Sequence, residues 1–312
     1  MSRKYGILTE PAIGILMRDI VSRVASFVRK SRHTFEAEHK GIKPDGRIDW
    51  VTNIDKEAQR MAIRLLQENM PSIGIVAEEQ NGIAIPSKEP TKSLWFSLDP
   101  IDGTRAFVHR FSFGISVMLA LMDEDKVIAV CICDIMTEEM YYYRPDSENT
   151  HHFDAKSGQR LLNELPRDIP LSQQYLLIRD PVEVYNDMTR RLLQIKPHPL
   201  FRRYESTSGS IGLSMTRLWK GEVGGAILRA GDQNPWDVCP IIGLMERLGF
   251  VYFKIIPNQE EHNLCLSQIH LIASRSIFTI DCDMLVIHKS NILELTRWCI
   301  EEGICIICDP IL

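Results

Sequence analysis

The stretch SLDPIDGTRAF (97–107) places two aspartates, Asp99 and Asp102, three residues apart at the end of an apolar run. The run LWFSL that leads into them is typical of a buried strand, and we expect this strand to end at Pro100, which has no N–H to donate. From Gly103 onward the residues indicate a helix start, where unpaired backbone amides attract anions. One short turn therefore offers two carboxylates beside a backbone suited to phosphate.

This turn favours a phosphate held by divalent cations. Two neighbouring carboxylates repel each other unless a cation compensates their charge. Mg²⁺ in proteins typically binds one or two carboxylates together with phosphate oxygens of the substrate. The alternative, for this stretch alone, is an ordinary strand-to-helix turn in which Asp102 caps the helix.

Further acidic residues lie at predicted strand ends or helix starts. Taken singly, Asp55 and Asp237 are explained as helix N-caps, and Glu78 and Glu79 as solvated loop acids. Taken together, their convergence on one place would produce a repulsion that only cations relieve. The stretches concerned are DWVTNID with Asp49 and Asp55, VAEEQ with Glu78 and Glu79, and NPWDVCP with Asp237.

The composition is that of an ordinary soluble globular protein, with 45% hydrophobic and 25% charged residues in 312. A net charge of −5 does not favour binding to nucleic acid or to an anionic membrane. No run approaches the roughly 18 apolar residues of a spanning helix, and the N-terminal segment lacks the pattern of a secretory signal. We therefore expect a cytoplasmic protein.

The eight cysteines lie mostly in apolar runs and form no disulfide framework, so we expect buried, reduced thiols. Cys305 and Cys308 have the CxxC spacing, but no second pair and no histidine complete a zinc site in the sequence. What the C-terminal run ICIICDPIL packs against stays open.

The order of predicted elements is typical of a mixed α/β protein. Apolar residues three and four apart, from Ile13 to Phe27, predict a first amphipathic helix, and a second begins near Ile54 or Asp55. A polar turn at 123–126 predicts a hairpin. The polar stretch 145–160 is interpreted as a hinge between an N-terminal half, 1–150, and a C-terminal half, 151–312.

Four motifs, in their order and spacing, resemble the inositol monophosphatase superfamily of magnesium-dependent, lithium-sensitive phosphatases. The resemblance covers roughly residues 8–300, and SGSIGLSM (208–215) is similar to the family's substrate-side helix. It implies an α+β (mixed α/β) fold, a layered αβαβα sandwich of the inositol monophosphatase/fructose-1,6-bisphosphatase type, and a homodimer. The motifs are DWVTNID (49–55), AEEQ (77–80), DPIDGTRAF (99–107) and PWDV (235–238).

The resemblance also implies residue roles at a site between the two halves, with two or three Mg²⁺ ions. A first ion would bind Glu78, Asp99 and the carbonyl of Ile101. A second would bind Asp99, Asp102 and Asp237, and a third, weaker ion would lie near Glu78. The turn of Asp102, Gly103 and Thr104 would bind phosphate. The Thr104 hydroxyl, together with Asp49 and Glu78, would orient the attacking water.

Two departures from the family pattern concern the metal site and the substrate. After the WD pair this chain has Val238-Cys239-Pro240, and we expect a helix that starts at Asp237, with Cys239 crowding the metal site slightly. Where inositol-specific members carry a glutamate, this chain has Ala230, preceded by Arg229. Arg229 is either an exposed loop residue or a partner for a second anionic group.

The sequence thus predicts a phosphomonoesterase that acts on a small phosphorylated metabolite, with inositol monophosphate as the first expectation. Histidinol phosphate, a 3′-phosphonucleotide and a sugar bisphosphate are the alternatives. A different kind of alternative is a non-catalytic descendant that binds a ligand or partner. The presence of all six acidic and hydroxyl site residues argues against it, because a scaffold alone would not need them.

Overall fold

The computed structural model describes Tyr5 and residues 8–42, 46, 48–88, 93–258 and 263–308. No helix in this part of the chain is both long and apolar enough to cross a membrane. The α-helices are α1 (Glu10–Ser31), α2 (Asn53–Asn69), α3 (Glu79–Gly82), α4 (Thr104–Val108), α5 (Asp187–Gln194), α6 (Ile211–Trp219), α7 (Pro235–Arg247) and α8 (Ile292–Glu301).

The N-terminal part of the chain builds one large sheet. A hairpin of β1 (Ala37–Ile42) and β2 (Ile48–Thr52) precedes α2. Eight strands then pair in the order β10-β9-β8-β7-β6-β5-β3-β4, antiparallel except between β3 and β5. They are β3 (Gly74–Ala77), β4 (Ile83–Ile85), β5 (Leu94–Asp102), β6 (Ser116–Asp123), β7 (Lys126–Asp134), β8 (Met140–Tyr143), β9 (His151–Asp154) and β10 (Gly158–Leu161).

The remaining strands build a second large sheet and a small one. The large sheet has the order β12-β11-β13-β18-β15-β16-β19, and β14 pairs with β17. These strands are β11 (Tyr175–Ile178), β12 (Arg203–Ser206), β13 (Gly225–Leu228), β14 (Gly231–Gln233), β15 (Phe250–Pro257), β16 (Leu264–Ile269), β17 (Phe278–Ile280), β18 (Met284–His288) and β19 (Cys305–Ile307).

The two sheets and the helices alternate as five layers, which confirms the expected αβαβα sandwich. Helices α1 and α2 cover one face of the first sheet, and α6 and α7 lie between the sheets. Helices α5 and α8 cover the outer face of the second sheet. Each layer boundary is apolar, since alternate side chains of a strand point to opposite faces and both faces are covered.

Most predicted elements are confirmed, and the exceptions have a physical reason. Helix α1 buries Ile13, Ile20 and Val24, as their spacing predicts. The turn at 123–126 joins β6 to β7. The stretch 145–160, interpreted as a hinge, instead contributes β9 and most of β10 to the first sheet. These strands lie at the edge of the sheet, where exposed faces admit polar residues. The division into 1–150 and 151–312 stays a prediction.

Candidate functional site

A β-bulge brings the two aspartates of the opening stretch to the same side of β5. The strand continues past Pro100, where it was expected to end, and its pairing with β6 shifts: Asp99 lies opposite Met118 and Asp102 opposite Ser116. Asp99 and Asp102 are three residues apart on β5, whereas their partners on β6 are two residues apart, so β5 has one additional residue. Residues three apart in a regular strand point to opposite faces, and the additional residue of a bulge removes this alternation.

Three carboxylates meet at this bulge. Asp99, Asp102 and Asp237 each place an oxygen within 4.8 Å of the others, although Asp237 comes from the first turn of α7. Burial raises the pKa of Asp237 to about 7, and the charges of Asp102 and Glu78 add to this effect. The pKa of Asp99 is raised well above its ordinary value, first by burial and then by Glu78, Asp102 and Asp237. Such crowded oxygens are suitable ligands for a hard divalent cation.

The carboxylate of Asp102 also holds the start of α6. Its Oδ2 accepts hydrogen bonds from the hydroxyls of Ser116 and Ser210 and from the Gly212 amide at 2.9 Å, and its Oδ1 accepts one from the Ile211 amide at 3.2 Å. Amides at a helix N-terminus have no partner within the helix, so this carboxylate supplies one. Asp102 thus joins the first sheet to a helix of the middle layer, a contact that the sequence does not predict.

Glu78 and Glu79 share one lysine. The Nζ of Lys40, on β1, lies 3.1 Å from Glu78 Oε1 and 2.8 Å from Glu79 Oε1. The Glu79 side chain is only 2% exposed, so the interpretation of this residue as a solvated loop acid is wrong. Burial raises the pKa of Glu78, and Lys40 opposes this shift. Lys40 was missed because nothing in the polar run AEHKGI distinguishes it from a surface residue.

The Thr104 hydroxyl contacts the buried carboxylate of Asp55. The Thr104 hydroxyl oxygen lies 3.2 Å from Asp55 Oδ1 and 3.1 Å from the Ile101 carbonyl oxygen. Asp55 is fully buried at the third position of α2, where Thr52 is the N-cap, so the prediction of Asp55 as N-cap is wrong. Burial raises the pKa of Asp55 to about 6. Asp49, on β2, is half-buried and faces the same cleft.

Gly103 occupies a position that only glycine fits. Its φ of 93° lies in the left-handed region, and α4 starts at the next residue. A Cβ at this position would lie 2.2 Å from the carbonyl oxygen of Gly114 and 2.9 Å from the amide nitrogen of Ser210. The turn is therefore packed directly against backbone atoms that precede β6 and α6.

These residues line one cleft of about 900 Å³ between the two sheets. One wall carries all the predicted site residues of the first half. The opposite wall consists of residues 179–181 and 206–209 together with Asn234, Trp236, Asp237 and Ile277. Arg179, which directly follows β11, was not predicted from the sequence. Like Asp99, it is a charged residue at the end of an apolar strand, and that position could have indicated it. The basic side chains of the cleft are Lys40, Lys56, Arg105 and Arg179.

The start of α7 and the position of Cys239 both differ from what the sequence predicts. Helix α7 starts at Pro235, not at Asp237, so Pro240 falls in the second turn, where it deprives the Trp236 carbonyl of its usual donor. The Ser97 hydroxyl donates to the Pro235 carbonyl at 2.8 Å and anchors the helix start. Cys239 is buried with its Sγ 3.7 Å from the Ser274 carbonyl, and it is absent from the cleft lining, so it does not crowd the site.

Ala230 and Arg229 each contact an aspartate. The Ala230 amide donates to Asp283 Oδ1 at 2.8 Å. An Arg229 guanidinium nitrogen lies 3.7 Å from a carboxylate oxygen of Asp180. Neither Ala230 nor Arg229 is among the residues found to line the cleft. A role of Arg229 toward a second anionic group stays a prediction.

Comparisons with known proteins agree with this fold. The model of the inositol monophosphatase family matches residues 14–289. An inositol-1-monophosphatase of Bacillus subtilis is 30% identical over 214 residues, which are 66% of this chain and 73% of that protein. The extragenic suppressor protein SuhB of Bartonella henselae superposes with a TM-score of 0.66 at 16% identity, over 92% of this chain and 97% of that one. An IMPase/NADP phosphatase complexed with Mg²⁺ and phosphate superposes with a TM-score of 0.65 at 18% identity, over 93% and 95%.

Proposed function

The chain belongs to the inositol monophosphatase family, and from this membership we propose that it is a Mg²⁺-dependent phosphomonoesterase for a small phosphorylated metabolite, with inositol monophosphate as the first candidate. The observation that carries the proposal is the cluster of Asp99, Asp102 and Asp237 beside the turn of Gly103 and Thr104. A family scaffold that only bound a partner would not need three crowded carboxylates, two of them on buried residues, whose charges oppose one another.

The donor set fits magnesium. It consists of carboxylate oxygens and one carbonyl oxygen, with no sulfur or imidazole among the three clustered residues. Glu78, Asp99 and the Ile101 carbonyl would hold one ion, Asp99, Asp102 and Asp237 a second, and a third would lie near Glu78. When bound, the ions lower the pKa of a water and neutralise phosphate charge. A bound ion at Glu78 would compete with Lys40 for that carboxylate.

The residues around Thr104 have the geometry to orient the attacking water. The Thr104 hydroxyl has one proton, which it donates to Asp55 or to the Ile101 carbonyl. Its oxygen is therefore left as an acceptor for one O–H of the water, and the carboxylate of Asp49 or of Glu78 would accept the other. Asp55 acts as a positioning residue, and no side-chain nucleophile is required. The amides of Gly103 and Thr104 would bind the phosphate.

The test is the release of phosphate from a panel with Mg²⁺, with and without millimolar Li⁺. The panel holds inositol 1-phosphate, histidinol phosphate, 3′-phosphoadenosine 5′-phosphate and fructose 1,6-bisphosphate. We expect Mg²⁺-dependent turnover of one member and inhibition by Li⁺. Folded protein that binds Mg²⁺ but leaves the whole panel intact would contradict the proposal and favour a non-catalytic binding protein.

Asp237→Asn is the sharper active-site variant. Asp102→Asn would also disturb four hydrogen bonds to Ser116, Ser210 and α6, whereas the Asp237 carboxylate accepts a single described hydrogen bond, from Asn234 at 3.0 Å. We expect Asp237→Asn to lower kcat by about 10²-fold or more while the protein folds normally. Asp281→Asn, at a side chain that is 74% exposed, is the matched control. Wild-type turnover by Asp237→Asn would refute the metal assignment.

A second candidate substrate class carries another anionic group, as a 3′-phosphonucleotide or sugar bisphosphate does. Arg179 lines the cleft on the wall opposite the Gly103 turn, and no salt bridge to its guanidinium is found among the described residues. A cleft of about 900 Å³ lies in the upper part of the size range of ligand pockets and exceeds the needs of a single sugar-sized phosphate. Arg179→Met should raise KM for a bisphosphate about 10–100-fold and leave that for inositol 1-phosphate unchanged. Equal changes for both substrates would exclude this role.

A homodimer in the cytoplasm, without nucleic acid or membrane partners, completes the proposal. Sedimentation of the purified chain would test the dimer, and a monomer at micromolar concentration would contradict it.

A further inference from the structure

Two cysteines that are distant in sequence face each other across the edge of the second sheet. Strand β19 pairs in parallel with β16, and Cys305 lies directly opposite Cys265. Their sulfur atoms are 2.8 Å apart, although the residues are 40 positions apart in the chain. Sulfur is larger than carbon, whose optimal non-bonded separation is already about 3.5–4.0 Å. The two thiols are therefore in closer contact than ordinary packing produces.

The strand geometry permits a covalent bond at this place. Neighbouring strands lie about 4.7–4.9 Å apart, within the roughly 4.4–6.8 Å that separates the Cα atoms of a disulfide. Residues directly opposite each other in the ladder can thus be joined without moving the strands. A zinc site is a poorer interpretation, because the described residues contain one group of three or more metal-type ligands within 4.8 Å of one another, and that group is the aspartate cluster.

Accessibility differs among the nearby thiols in a way that sets the order of reaction. Cys265 is 3% exposed, Cys305 is half-buried on the edge strand, and Cys308 is exposed. Burial raises the pKa of Cys265 to about 12, so its thiolate is scarce at neutral pH. Cys299, at the end of α8, is fully buried. An oxidant dissolved in water therefore meets Cys305 or Cys308 before it meets Cys265.

We propose that Cys265 and Cys305 are a redox modification site, at which a low-molecular-weight disulfide such as glutathione disulfide converts the two thiols into an intramolecular disulfide. The Cys305 thiolate attacks one sulfur of glutathione disulfide, and the first glutathione leaves as a thiolate. Cys265 then loses its proton and attacks the Cys305 sulfur of the mixed disulfide, and the second glutathione leaves. Two protein thiols are oxidised, one glutathione disulfide is reduced to two glutathiones, and no other reactant is needed.

The bond would fasten the last strand of the sheet. Strand β19 has three residues and, among the described strands, pairs with β16 alone, so its attachment rests on a short ladder and on contacts with α8. Strands of this kind open locally more readily than central strands. A disulfide at its first residue would prevent this opening, and reduction would restore it.

Peptide mapping under non-reducing conditions tests the proposal on the full chain. After incubation of the native protein with glutathione disulfide and quenching of free thiols, we expect a peptide that links Cys265 to Cys305 and disappears on reduction. Cys308→Ser should keep this link and Cys305→Ser should lose it. Slower amide hydrogen exchange in β19 of the oxidised protein is the second readout.

Three results would overturn the proposal. The first is a dominant link between Cys305 and Cys308, and the second a glutathione adduct on Cys305 that never resolves. The third is a link to Cys265 that forms only in denaturant, since the native geometry would then not be its cause. The mapping of the wild-type chain does not depend on the folding of any variant.

Discussion

Replacement of Gly103 by alanine is expected to damage both the stability and the activity of the protein. With φ at 93°, any other residue at this position is strained by about 1–2 kcal/mol. The new methyl group would also lie 2.2 Å from the Gly114 carbonyl oxygen and 2.9 Å from the Ser210 nitrogen, both backbone atoms. Overpacking of this kind adds about 1–3 kcal/mol. The total, about 2–5 kcal/mol, is a large share of the roughly 5–15 kcal/mol that stabilises a typical domain.

Gly158→Ala separates the two contributions. Gly158 has a φ of 79°, and a Cβ there would meet no atom within 4 Å. This control should therefore lose only about 1–2 kcal/mol of unfolding free energy, from backbone strain alone. The assay is urea unfolding of both variants. If the dependence of the unfolding free energy on urea concentration is unchanged, the transition midpoints report the difference in stability.

Activity gives the second comparison. A displaced turn at Gly103 should lower kcat/KM at a temperature where both variants remain folded, while Gly158→Ala keeps wild-type kinetics. If Gly103→Ala lost no more stability than Gly158→Ala, the close approach between the turn and the Gly114 carbonyl would be wrong. Full activity with a large loss of stability would leave the packing argument intact and refute the role of this turn in phosphate binding.

Three other perturbations follow from the site. Lys40→Met should lower the free energy of unfolding in urea by about 1–3 kcal/mol, because the Glu79 side chain is only 2% exposed and loses its cation. Lys56→Met is the control: its partner Glu38 is 67% exposed, so stability should change by less than about 1 kcal/mol. Equal effects of the two variants would contradict the burial argument. Mg²⁺ at about 100 times its Kd should stabilise the folded protein by about 2.7 kcal/mol. The measurement is a rise in Tm, which EDTA should reverse and Asp237→Asn should abolish. An unchanged Tm of the wild-type protein would contradict a preformed site. Thr104→Val should lower kcat by about 10²-fold at constant KM, and Thr104→Ser should restore most of it; a fully active valine variant would exclude the hydroxyl.

The sequence predicts the features that local chemistry determines. The spacing of Ile13, Ile20 and Val24 predicts the buried face of α1, because helix periodicity requires no knowledge of the partner. The convergence of Asp99, Asp102 and Asp237 is implied by the resemblance of the four motifs to the family, whereas the residues alone indicate only acids at predicted strand ends and helix starts. For α1 the decisive information lies within one segment, and for the aspartates it lies in the order and spacing of motifs that are far apart in the chain.

Features that depend on long-range pairing could not be predicted. The bulge between Asp99 and Asp102 is defined by the register with β6, and no residue inside SLDPIDGTRAF specifies that register. Lys40, on β1, meets Glu79, on α3, through a tertiary contact, and the segment AEHKGI around Lys40 does not distinguish it from a surface residue. The prediction of polar edge strands fails for a related reason. Strand β10 has the composition of a loop and is a strand only because it pairs with β9.

The four hydrogen bonds that end on Asp102 have a thermodynamic consequence. One carboxylate serves both the start of α6 and the proposed cation, so the two equilibria are linked. Such linkage is reciprocal: a cation that withdraws electron density from the carboxylate weakens its hold on the helix, and a change that loosens the helix alters cation affinity by the same factor. Substitutions at Ser116 or Ser210, which contact no ligand in this scheme, should therefore appear in a Mg²⁺ titration. The affinity of the cleft for its ion is in this sense a property of both halves of the chain.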